Sequence, residues 1–166
     1  MDDWGWLRTA AIVIVWITVG GGALLASLWV AFGGVRAYGP DDDLMAGTGV
    51  TVDRRRERMT SFSTAQVGVH GLLGILTASF VTYAVVRSHD RTNGYIAALI
   101  VIALTAIPGA LMFLKWRRGT RPAAAVAVAG RRQRRVEDRF PRALVYGHEF
   151  FVVCTLTAVI LLLLVD

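Results

Sequence analysis

Four side chains stand out in a chain otherwise short of reactive groups. Gln66 and His70 lie in "TAQVGVHGLLG", and His148 and Glu149 sit side by side in "ALVYGHEFFVV". All four fall inside long apolar runs. An ionisable group near the centre of a membrane helix costs about 2.5–3.5 kcal/mol on insertion scales, so it persists only where something satisfies or uses it. Two histidines on facing helices have three uses there. They can hydrogen-bond between helices, hold a haem or a metal ion between them, or form part of a proton path.

Register brings these groups to one depth. His148 lies six residues beyond Arg142, and His70 eight beyond Phe62. At 1.5 Å per residue these are depths of about 9 and 12 Å from the same side. Gln66 is one turn before His70 on the same face and Gly74 one turn after. The expectation is an intramembrane polar cluster of Gln66, His70, His148 and Glu149. Glu149 points about 100° away from His148 on its helix, where Arg142, Tyr146 or a loop arginine is an alternative partner. A metal ion usually asks for three or four protein ligands, and the third histidine, His89, falls on the opposite side. A bis-histidine haem needs only His70 and His148. Interhelical bonding, at about 0.6 kcal/mol per bond, accounts for the cluster with the fewest assumptions, so no cofactor and no metal is expected.

The elements that position these groups follow from hydropathy. The 166-residue chain is 55% hydrophobic with a mean hydropathy of +0.53, too apolar for a domain that presents a wet surface. Four apolar runs, at 7–32, 62–86, 95–116 and 142–165, each exceed the ~20 residues that cross a hydrocarbon core of ~30 Å. Lipid offers backbone groups no partner, so such runs must be helices. The fold class is all-α: one transmembrane domain, 1–166, with four helices and two loops, 33–61 and 117–141. The start "MDDWGW" is acidic where a signal peptide is basic, so the first run reads as a retained helix.

Charge orients the bundle. Arg8, Arg87 and Arg91 lie on one side, and the other fifteen Lys and Arg residues on or beside the two long loops. The positive-inside rule puts those loops in the cytoplasm and both termini outside, in a multi-pass inner-membrane protein. The net charge of +6 is thereby a matter of topology and of attraction to anionic lipids; no nucleic-acid partner is expected. Within 117–141, "PAAAVAVAG" is too short to cross and reads as a helix lying in the interface.

Small residues at four-residue spacing supply packing faces: Thr18, Gly22 and Ala26 in the first helix, and Gly74 and Ala78 with Gly71 in the second. These are the expected helix-packing and partner-contact positions. "GGG" at 20–22 exceeds what one face needs, and Pro108 should bend the third helix. Cys154 is the single cysteine and reads as a packing residue. There is no HExxH, Walker loop or GxSxG, so no enzyme is expected. Exporters of the small multidrug resistance family couple through an acidic residue deep in helix 1, and none lies between Leu7 and Phe32.

The opening "WLRTAAIVIVWITVGGGALLASLWVAFGGV", followed by three more spans and rich in Arg over Lys, resembles small actinobacterial four-helix membrane proteins. In size and layout it is similar to the accessory membrane subunit of mycobacterial Mce lipid importers. That resemblance implies a non-catalytic, stabilising subunit packed beside the permease of a larger complex. A small subunit of a respiratory supercomplex and a small oligomeric drug/metabolite-type transporter are the alternative readings.

Overall fold

The computed structural model describes residues 5–35, 60–87, 91–120 and 136–165. Its regular elements are helices: α1 (Gly5–Ala31), α2 (Thr64–Arg87), α3 (Arg91–Thr120) and α4 (Arg142–Val165), with a short 3-10 turn at Val136–Arg139. All four α-helices are long and apolar enough to cross a membrane. Helix α3 is longer than the hydropathy pattern predicts and runs unbroken through Pro108. Apolarity ends near Trp116, but the helical backbone bonding continues through the polar residues to Thr120. His89, Arg54 and the "PAAAVAVAG" stretch lie outside the described residues.

Each helix packs on its neighbours in chain order, and α4 closes the ring against α1. Only three residues join α2 to α3, which makes them an antiparallel hairpin. The four passes alternate up and down, so α1 and α3 run parallel, as do α2 and α4. The start of α1 and the end of α4 therefore meet at one end of the bundle, where Leu7 and Leu162 share a core cluster.

That terminal-end cluster is built on small residues. Ala11, Ala78, Ala84, Ala98 and Ala158 are buried among Val15, Val81, Tyr95, Ile102, Val159 and Leu162. In lipid the drive to associate is close contact and not water exclusion, and alanines let the backbones approach. Long apolar side chains such as Leu72, Leu76, Leu104, Phe150 and Val153 turn outward to the lipid.

A second cluster at the loop end holds Trp29, Phe62, Trp116, Val136 and Val145. A polar latch closes it. Trp29 donates its indole N–H to Thr60 Oγ1 (2.9 Å), and Thr60 donates to the Glu137 carboxylate. Ser61 N–H donates to the same carboxylate oxygen at 2.7 Å, and Trp116 Nε1–H donates to the Glu137 carbonyl at 3.2 Å. Glu137 is 1% exposed; donors converge on its Oε1, while its Oε2 is buried without a partner among the described residues.

Local signals set the helix ends nearby. Gly33 (φ 91°) and Gly34 end α1, with Gly33 N–H on Val30 O and Gly34 N–H on Trp29 O, the two bonds of a Schellman motif. The Trp29 ring lies so close over Gly34 that an added Cβ would meet it at 2.2 Å. Ser63 caps α2 by accepting Gln66 N–H at 3.1 Å. Pro141, with its fixed φ, leads into α4 and accepts the N–H groups of Leu144 and Val145.

Candidate functional site

Between the two clusters lies a layer that is neither tightly packed nor apolar. His70 projects from α2 and His148 from α4, helices that face each other across the ring. Their ring centroids are 6.4 Å apart with planes at 89°. Each ring is seated against a glycine of the next helix. A Cβ on Gly22 would lie 3.1 Å from His148 Cε1, and one on Gly109 would lie 2.8 Å from His70 Cε1. The imidazoles occupy notches that a side chain on α1 or α3 would fill.

A backbone carbonyl orients the His148 ring. His148 Nδ1 is 3.1 Å from Thr18 O. A carbonyl only accepts, so Nδ1 carries the proton and the neutral ring keeps the Nε2 lone pair free. The buried Nδ1 of His70, by contrast, has no hydrogen-bond partner among the described residues. Two threonine pairs form the next layer toward the termini. Thr77 and Thr105 hydroxyls meet at 2.6 Å, and Thr18 and Thr155 at 3.2 Å.

These pairs disclose an internal repeat. Ala11, Thr18, Gly22 and Trp29 recur 87 residues later as Ala98, Thr105, Gly109 and Trp116. Phe62, Val67, His70, Thr77 and Val81 recur 78 residues later as Phe140, Val145, His148, Thr155 and Val159. The hairpins α1–α2 and α3–α4 are thus two copies of one unit. Because α1 parallels α3 and α2 parallels α4, the pseudo-two-fold axis runs along the bundle. The two histidines are equivalent residues facing each other at that axis, and each glycine–threonine stripe serves the histidine of the other hairpin.

Beside the rings is a cavity of about 340 Å³. Its walls include both histidines and the four threonines, and its floor is Trp29, Phe62, Trp116 and Phe140. Gly71 and Gly74 line it from α2, and at either one an added Cβ would meet nothing within 4 Å. Their missing side chains leave open space and not a helix contact. On α4 the equivalent positions are Glu149 and Val152, so the space opens toward α2.

The residues singled out in the sequence divide accordingly. His70 and His148 come together, and Glu149 lines the same cavity. Gln66 turns away and its Oε1 accepts from Lys115 Nζ at 3.3 Å. Thr18 and Gly22 serve the histidine site on α1, Ala26 lines the cavity, and Ala78 is fully buried in the terminal-end cluster. The threonine pairing, the glycine seats and the Glu137 latch were not read from the sequence. The signal that would have found the first two is the constant 87- and 78-residue offset. Among the described residues, no group of three or more His, Cys, Asp or Glu side chains could hold a metal ion.

No family model, characterised protein or solved structure matches the chain.

Proposed function

We propose that this chain is a membrane-embedded subunit that holds a ligand between His70 and His148. The observation that carries the reading is the pair of equivalent imidazoles at the bundle axis, each seated on a glycine, beside a cavity that Gly71 and Gly74 leave open on the α2 side. Interhelical bonding alone, the reading favoured by composition, asks for close packing at this depth. Histidines serving only as glue would not need Gly71 and Gly74 to leave space open next to them. Helix bundles build their cofactor sites in this manner, from side chains on facing helices.

The charge asymmetry supports placing the subunit in the cytoplasmic membrane with its long basic loops inside. A ligand-holding subunit is also consistent with the accessory role that the layout resemblance implies, beside an Mce-type importer or a respiratory complex, with anionic lipids at the basic loops. The test is to purify the chain in mild detergent and identify every non-lipid species that accompanies it, by mass spectrometry and elemental analysis. The reading expects one species at near-stoichiometric amounts in the wild type and its loss in His148→Ala. Wild type and variant with identical contents would refute it.

A further inference from the structure

We infer that the ligand is a tetrapyrrole whose central iron takes His70 and His148 as its two axial ligands. The inference rests on the ligand-holding role proposed above and names the ligand's class. Three observations carry it.

The first is spacing. Imidazole nitrogens bind transition metals such as zinc at about 2.0–2.1 Å, and a ring centroid lies about 1.1 Å further back, so two imidazoles in line on one metal have centroids roughly 6.3 Å apart. The rings here are 6.4 Å apart.

The second is ligand count. The described residues supply two imidazoles and no third or fourth donor in a metal-binding group. A bare transition-metal ion is poorly served by two protein ligands. A tetrapyrrole brings four nitrogens of its own and asks the protein for the axial pair only. Iron so ligated has no open position for substrate. His148 also shows the outer contact of a metal-ligating histidine, Nδ1–H on a backbone carbonyl, which fixes the tautomer with Nε2 free.

The third is the shape of the space. The macrocycle would stand edge-on along the bundle, perpendicular to the line between the rings. The cavity extends that way, from the threonine layer to the Trp29 and Trp116 floor. Thr18 and Trp29 are eleven residues apart, or about 16 Å of helix rise, enough for a flat ring system. The faces of such a ring need walls without side chains, which Gly71 and Gly74 supply.

The experiment is a titration of hemin into the chain purified in detergent, read by absorption and by electron paramagnetic resonance. The expected result is one hemin per chain with a six-coordinate, low-spin spectrum. Ring planes at 89° leave two iron orbitals nearly degenerate, so the resonance should be the single, strongly anisotropic low-spin signal of crossed imidazoles. His70→Ala and His148→Ala should each convert it to a high-spin species. Gly74→Leu guards against a folding artefact: its Cβ meets nothing in the structure, so the fold should stand while hemin affinity falls by about tenfold or more, as overpacking by one side chain implies. Hemin uptake that is indifferent to both histidines and to Gly74→Leu would overturn the inference. Absence of low-spin hemin from a chain that still carries another His148-dependent species would overturn the tetrapyrrole alone and leave the holding role standing. Absence of both would overturn both.

Discussion

Alanine at Gly109, Gly22 and Gly74 should produce a ranked series, because the three glycines meet different surroundings. Carbon atoms in contact rest at about 3.5–4.0 Å. A Cβ at Gly109 would sit 2.8 Å from His70 Cε1, and one at Gly22 would sit 3.1 Å from His148 Cε1. The first shortfall is the larger, and the His70 ring must retreat further. Overpacking costs about 1–3 kcal/mol, so about 2 is assigned to Gly109→Ala and about 1 to Gly22→Ala. Replacing glycine in a helix returns up to about 1 kcal/mol in every case. The net expectation is a loss of about 1 kcal/mol for Gly109→Ala, no change for Gly22→Ala, and a gain for Gly74→Ala, where a Cβ meets nothing within 4 Å. The assay is thermal unfolding of ligand-free protein in detergent, where 1 kcal/mol moves the midpoint by about 2–4 °C at this chain length. Gly22→Ala falling below Gly109→Ala, or Gly74→Ala falling below wild type, would refute the reasoning.

Two further predictions concern the layers on either side of the histidines. Glu137→Ala strips the acceptor from Thr60 and Ser61 and should lower stability by about 3 kcal/mol, at 1–3 kcal/mol per buried donor left unpaired, while Glu137→Gln keeps one acceptor oxygen and should lose less in the same melting assay. Thr105→Val removes the 2.6 Å bond to Thr77 and should lose about 0.6 kcal/mol, the mean for such bonds in membrane bundles; the Thr77→Val/Thr105→Val double variant should lose less than the sum of the singles, and additivity in that cycle would show the pair uncoupled.

The four spans were legible in the sequence because lipid forces every long apolar run into one backbone state. The shared depth of His70 and His148 was legible too, since residue rise along a helix is fixed. What register alone does not carry is facing. Gln66 and His70 share a helix face, yet Gln66 meets Lys115 while His70 meets Gly109, because α3 runs past α2 in the opposite direction and presents a different group at each level. Gly71 and Gly74 read as packing residues because a small residue at a helix contact and a small residue beside a cavity look identical in sequence. The repeat was present but diluted. The inward positions Thr18, Gly22, Trp29 and His70 recur, while most of the outward ones need only be apolar and have diverged. The latch was hidden for another reason: Glu137 sits in a loop crowded with arginines, where composition suggests a solvated carboxylate and the fold instead buries it under Thr60 and Trp116.

The most direct test of the central claim is the ligand content of four proteins purified side by side: wild type, His70→Ala, His148→Ala and the double variant. If both imidazoles hold one molecule, each single variant should lose nearly all that the double variant loses. Singles that retain the wild-type content, or losses that add as for two independent sites, would contradict the account.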